Sequence, residues 1–357
     1  VHQGRQRGRQ AAGMVLGVLL LLAAAADALL PRPRPWPREP AGPVPDFSHV
    51  FLIVLENHSP ASLLHNPRAP YIRHLAATWG YEADDYGVTH PSLPNYIALL
   101  AGRTGGSHSD SPAQQFGFPT LAGQLDAHHL SWQAVMQGLP APGYTGAWYP
   151  PPPAAPRYAR KHDPFLAFPA LARDRRRVVP LRVLARELRD GQVPRLVWIT
   201  PDLCHDMHGQ PPGRGRACPP SDPGRLVADG DRFLARWVPR ILHSTAWRGQ
   251  AVIFITWDES GRPSGLEGWR AYFAAGPGAP PLLPAWPPAG LIGGGRVPLI
   301  VIARGGPHPL VLDWPADHYA VLKTIEAGWH LGYLGHAASP AVPVLWPFWH
   351  GRPGRRP

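Results

Sequence analysis

Three apolar runs in this chain stop on side chains that can bind a cation or move a proton. Residues 50–55 end in Glu56 and Asn57, residues 251–257 end in Asp258, Glu259 and Ser260, and residues 196–200 lead into Pro201-Asp202-Leu203-Cys204-His205-Asp206-Met207-His208. Carboxylate and amide oxygens hold hard divalent cations such as Mg, Ca or Mn, while the histidines leave room for zinc or iron. Two further groups stand where helices should begin. Ser92 lies in Thr89-His90-Pro91-Ser92-Leu93-Pro94-Asn95-Tyr96, and His318 in Asp317-His318-Tyr319. A serine hydroxyl beside free backbone N–H groups and the positive end of a helix dipole is well seated to attack phosphorus. Taken alone, Ser92 suits an N-cap more readily. Asn95 is expected to donate to a phosphate oxygen, and Thr89, the nearest competing hydroxyl, comes before the proline that should open the turn. A phosphoryl group in transfer carries charge on its equatorial oxygens, which a metal and imidazolium donors can neutralise, and an activated serine can become a phosphoenzyme. Lys161 and His162 close a long proline-rich stretch, 140–156. That cluster of cations suits a solvated turn or a lid over an anionic group.

These side chains need a scaffold that brings strand ends together. Residues 50–55, 196–200 and 251–257 read as short strands buried on both faces, as in a parallel sheet covered by helices. Strands are also expected over 81–87, 132–136 and 297–303. Helices are expected over 70–79, from the Ser92 turn to Gly102, over 121–130 and 229–243, and from Asp317 to Glu326. The fold class is therefore α/β, with a mainly parallel central sheet flanked by helices on both faces. In such a sheet the carboxyl ends of the strands share one edge, where ligands bind.

Of 357 residues, 44% are hydrophobic and 17% charged, enough for a large core. Net charge is +11, and Lys161 and Lys323 are the only lysines, so the positive charge is nearly all arginine. Arginine suits phosphate and carboxylate. It is spread along the chain, which favours anionic substrates and gives no case for nucleic acid. Arg5, Arg7 and Arg9 precede an apolar run, 14–26, and then Ala26-Asp27-Ala28. This reads as a secretory signal over 1–28, with an uncleaved membrane anchor as the alternative; the run is short of the roughly 20 residues of a comfortable span. A Pro/Arg-rich linker over 29–46, a single domain over 47–349 and a basic tail over 350–357 complete the expected organisation. In an exported chain, Cys204 and Cys218 are expected to form a disulfide.

The ordered motifs Val-Leu-Glu-Asn-His-Ser, His-Pro-Ser-Leu-Pro-Asn-Tyr, Pro-Asp-Leu-Cys-His-Asp-Met-His, Thr-Trp-Asp-Glu and Asp-His-Tyr with Thr-Ile-Glu resemble the bacterial phosphoesterase family. Its members are secreted acid phosphatases and phospholipases C of the alkaline-phosphatase superfamily. The similarity runs from about His49 to Leu334, and five motifs in order are far more specific than one. The resemblance implies an alkaline-phosphatase-like fold with Ser92 as nucleophile and Glu56, Asn57, Asp258 and Glu259 as metal ligands. It further implies that His208 and His318 stabilise phosphate or act as acid and base, and that Lys161 and His162 contact substrate; His90, Asn95 and Asp206 are also expected to bind substrate. Two-zinc members have Asp-His where this chain has Asp258-Glu259, and Asp where it has Glu56-Asn57, which favours one divalent metal ion. The expected activity is hydrolysis of phosphate monoesters, small molecules or lipid head groups. A phospholipase C-type phosphodiesterase and a catalytically silent envelope protein that binds phosphorylated ligands are the alternatives. The absence of an appended domain after Trp346 leans away from the larger phospholipases, and Leu282-Leu283-Pro284-Ala285-Trp286 is a candidate for peripheral membrane or envelope contact.

Overall fold

Residues 49–55 alternate between two cores, and the whole architecture follows from that alternation. In a computed structural model, which describes residues 36–172, 174, 176–261, 274–277 and 293–352, Val50, Leu52 and Val54 point into one apolar cluster and Phe51, Ile53 and Leu55 into the other. A period of two places successive side chains on opposite faces of a strand, and here both faces are covered.

In chain order the strands are β1 (His49–Leu55), β2 (Gly80–Tyr86), β3 (Trp132–Met136), β4 (Trp148–Tyr149), β5 (Tyr158–Ala159), β6 (Val178–Pro180), β7 (Leu196–Thr200), β8 (Ala251–Trp257), β9 (Arg296–Ala303), β10 (Leu310–Leu312) and β11 (Ala316–Asp317). The main sheet has the order β10-β2-β9-β8-β1-β7-β3-β6, with β11 also on β2, and β4 and β5 form a separate ribbon. β1 runs parallel to both neighbours, pairing Val50 with Leu196 on β7 and Leu55 with Trp257 on β8. The carboxyl ends of β8, β1 and β7 therefore open on the same edge. β9 runs antiparallel to β8 and β2, so the sheet is mixed but mostly parallel.

One face is covered by the helices Ser92–Ala101 and His318–Ala327, the other by Pro70–Thr78, Leu181–Asp190 and Pro223–Leu242. Ser92–Ala101 is buried along its whole length, which explains its almost continuous apolar sequence, and it stops at Gly102 with φ +68°. Pro223–Leu242 begins six residues before the expected start at 229. Its signals are Pro223 in the first turn and Asp222, whose side chain accepts from Arg225 N–H. β6 and the helix Leu181–Asp190 were not anticipated; a three-residue strand is too short for its periodicity to be read.

Part of the expected linker lies against the domain: Trp36 Nε1 donates to Pro315 O (2.6 Å), and Glu39 accepts from Val344 N–H (3.0 Å). The expected signal segment, linker residues 29–35, the 282–286 patch and tail residues 353–357 lie outside the described residues. No helix among the described residues is long and apolar enough to cross a membrane.

The loop after β7 is tied by the disulfide Cys204–Cys218, with Cα atoms 5.5 Å apart. Gln210 fills the loop: its Oε1 accepts from Ala217 N–H (2.7 Å) and Cys218 N–H (3.2 Å), and its Nε2 donates to Pro156 O (2.9 Å). The staple thus fixes the segment that carries Asp206 and His208. Bridging a loop of this size contributes about 3 kcal/mol in the chain-entropy model. Replacing both cysteines by alanine should lower the thermal midpoint and also slow turnover, as calorimetry and a steady-state assay would record; an unchanged midpoint and unchanged turnover would contradict this.

Candidate active site

Glu56 follows the last residue of β1 and is fully buried. Its N–H donates to Asp206 O (2.8 Å), which joins the ends of β1 and β7. Its carboxylate is surrounded: Oε1 accepts from Tyr96 OH (2.7 Å) and lies 3.0 Å from His162 Nε2, while Oε2 accepts from Ser92 Oγ (2.9 Å) and Asn57 Nδ2 (3.1 Å). The His162 contact is a close ion pair rather than an aligned hydrogen bond. Burial would raise the Glu56 pKa, but His162, followed by Lys161 and His208, holds it well below the usual carboxylate range.

Asn57 turns the chain away with φ +56°, a left-handed conformation that asparagine tolerates better than most residues. That turn aims its N–H at Asp258 Oδ1, 2.9 Å away across the sheet edge. Asp258 and Glu259, at the end of β8, are both buried, and burial together with the Glu56 charge pushes both carboxyls well above their ordinary range. Glu259 Oε2 meets His90 Nδ1 at 2.7 Å, whereas Asp258 Oδ2 is buried with no hydrogen-bond partner among the described residues.

His162 lies between two carboxylates, with Nδ1 3.0 Å from Asp206 Oδ2 and Nε2 on Glu56, and its ring stacks on Tyr96. Burial opposes its charge, but Glu56 and Asp206 prevail and raise its pKa to about 9. Asp206 is lifted to about 6 by burial, against the pull of His162. Its Oδ1 accepts from His208 N–H (2.8 Å), which fixes the turn at His208. His208 Nδ1 faces Gly209 O (2.8 Å) and so carries the proton, leaving Nε2 as acceptor towards Lys161 Nζ at 3.1 Å. Burial, followed by Lys161, lowers His208 to about 4.

Ser92, Asn57, His90, Lys161, His208 and Glu259 line a cleft of about 1050 Å³ together with the apolar Met207, Pro220, Pro223 and Leu226. Ten of the twelve residues expected from sequence thus belong to one connected cluster: Glu56, Asn57, His90, Ser92, Lys161, His162, Asp206, His208, Asp258 and Glu259. The other two engage backbone groups instead. Asn95, expected to donate to phosphate, has its Oδ1 on Val88 N–H and Thr89 N–H and its Nδ2 on Thr89 O and Pro91 O. This fully buried amide, with all its groups engaged, shapes the turn that leads into Ser92. His318, expected to handle phosphate or protons, is fully buried and donates Nε2–H to the backbone carbonyl of Asp258 (2.6 Å), so it braces that strand end from behind.

Two residues of the cluster were not anticipated. Tyr96 stands one helical turn after Ser92, and that i, i+4 spacing was a usable signal. Asp110 has no motif around it. Its carboxylate accepts from Leu93 N–H (3.0 Å) and Lys161 Nζ (2.8 Å).

Among the described residues, Glu56, His162 and His208 form the one group whose ligand atoms all lie within 4.8 Å of one another. His162 already has both ring nitrogens against carboxylates. The unpartnered Asp258 Oδ2 and the crowding of Glu56, Asp258 and Glu259 fit a cation at the carboxylate side better, since buried carboxylates of like charge call for a counter-ion.

Residues 60–332 match the model of the Phosphoesterase family. The chain is 29% identical over 310 residues to a phosphatidylinositol-3-phosphatase of Mycobacterium tuberculosis, covering 86% of this chain and 85% of that protein. An acid phosphatase of Aspergillus fumigatus is 25% identical over 301 residues, which span 81% of this chain and 56% of that relative. Among solved structures, a protein in the alkaline phosphatase superfamily from Vibrio parahaemolyticus superposes with a TM-score of 0.54 at 12% identity, covering 86% of this chain and 71% of that one. The strand-end carboxylates around Ser92 accordingly sit in a chain that belongs to the Phosphoesterase family, a hydrolase of phosphoric esters with the fold of the alkaline-phosphatase superfamily.

Proposed function

We propose that the protein is an exported, metal-dependent phosphomonoesterase that works through a phosphoserine at Ser92. The observation that carries this reading is the Ser92 hydroxyl, which lines the cleft with Lys161 and His208 and is held 2.9 Å from the buried Glu56 carboxylate. Ser92 Oγ forms a bond to phosphorus as its proton passes to the Glu56 carboxylate that holds it and the ester P–O bond breaks; the leaving oxygen takes a proton from water and departs as the alcohol towards the open cleft. Water then attacks the phosphoserine, the P–Oγ bond breaks, and Ser92 Oγ regains its proton from Glu56 as inorganic phosphate leaves. Lys161 supplies a cation to the phosphoryl oxygens, and His208 Nε2, an acceptor in the resting site, takes a proton from the attacking water. Glu56, Asn57, Asp258 and Glu259 would hold one divalent cation. When bound, it supplies positive charge beside the Ser92 hydroxyl and the phosphoryl oxygens.

The mycobacterial relative's name supports a phosphoinositide or similar head-group monoester as substrate. A cleft of about 1050 Å³ whose lining includes Met207, Pro220, Pro223 and Leu226 suits a leaving group larger than a small alcohol. The arginine-flanked apolar amino terminus and the disulfide support export.

Ser92→Ala should lower turnover of para-nitrophenyl phosphate by roughly a thousandfold or more with the circular dichroism spectrum unchanged, while Thr89→Ala stays near wild type. Near-native turnover in Ser92→Ala would move the attack to water. Stripping metal with a chelator, verified by elemental analysis, should abolish turnover, and adding back one divalent cation per chain should restore it; full activity in stripped protein would exclude a metal requirement.

A further inference from the structure

Lys161 sits at the end of a long flexible stem, and nothing in its own 3₁₀ turn, Arg160–His162, fixes where its ammonium lies. Its position is set from outside that turn. Asp110, in the loop that follows the helix Ser92–Ala101, accepts from Lys161 Nζ through Oδ2 (2.8 Å) and from the N–H of Leu93, the residue after the nucleophile, through Oδ1 (3.0 Å). One carboxylate thus joins the first turn of the nucleophile helix to the cation of the opposite loop. Nζ also meets His208 Nε2 at 3.1 Å, so Lys161 is held from two sides.

A carboxylate at the rim of a phosphate site also carries a disadvantage, since it repels the substrate. Both of its oxygens are occupied by donors, and the Lys161 side chain it holds is mostly buried, with 10% of its surface exposed. A buried ammonium without a counter-ion would be displaced towards water. Resting on the phosphomonoesterase reading above, we propose that Asp110 is a positioning residue, which fixes the Lys161 ammonium relative to Ser92 and His208 and thereby fixes the phosphoryl group for attack.

The test uses the full metal-loaded chain carrying Asp110→Ala, Asp110→Asn, Lys161→Ala, or Asp110→Ala with Lys161→Ala. Turnover of para-nitrophenyl phosphate and calorimetric binding of inorganic phosphate are measured on each. A cation displaced by about 1 Å can cost up to about a hundredfold in rate, so Asp110→Ala should lose about ten- to a hundredfold in kcat and bind phosphate more weakly. Asp110→Asn retains an acceptor for Leu93 N–H but not the ion pair, and should lose nearly as much, which separates the charge from the helix contact. If Asp110 acts through Lys161, the double variant should be no slower than Lys161→Ala alone. Multiplicative losses in the double variant would overturn the proposal. So would an Asp110→Ala enzyme with undiminished kcat and tighter phosphate binding, because the carboxylate would then be only a competitor for the site. Failure of the wild type to hydrolyse the monoester would refute the phosphomonoesterase reading instead, and phosphate binding would still report on Lys161.

Discussion

The structure depends on keeping the Glu56 carboxylate ionised in a place that water does not reach. Burying a lone carboxylate is prohibitive, and removing one partner from a buried charged pair typically costs about 3–5 kcal/mol. Four side chains from three separate segments answer that demand: Tyr96 and Ser92 from one helix, His162 from the loop before β6, and Asn57 from the turn after β1. Satisfying one charge therefore assembles the Ser92 hydroxyl, the His162 imidazole and the strand end in a single arrangement. His162 passes the constraint on to Asp206, and Asp206 to the backbone of His208, so the third strand end is held by the same chain of contacts.

The sheet makes this convergence possible. Because β1 lies between β7 and β8 and runs parallel to both, Glu56, Asp206 and Asp258 leave on one edge although they are up to 202 residues apart in sequence. The backbone bonds Glu56 N–H to Asp206 O and Asp258 N–H to Leu55 O extend the pairing one step beyond the strands, into the site itself. The disulfide and His318 brace two of these ends from behind.

Much of this was legible in the sequence, for physical reasons. Fully buried parallel strands read as uninterrupted apolar runs, so the abrupt appearance of Glu56-Asn57 or Asp258-Glu259 marks a strand end at an edge. The antiparallel course of β9 was not legible, since residues 297–303 are apolar in either direction. The surroundings of Asn95 and His318 were not legible because residue type does not reveal which way a side chain faces: Asn95 turns back onto its own loop, and His318 points at a carbonyl. Asp110 left no signal, because its two partners lie 17 and 51 residues away.

The central claim is that Ser92, held by Glu56, takes the phosphoryl group covalently. Rapid acid quench of the metal-loaded enzyme during turnover of a phosphate monoester, followed by peptide mass spectrometry, tests it directly. The account predicts one added phosphoryl group on the peptide containing Ser92, located on that serine and absent from Ser92→Ala. An unmodified Ser92 peptide under conditions where hydrolysis of the intermediate is rate-limiting, shown by a stoichiometric burst of released alcohol, would contradict it.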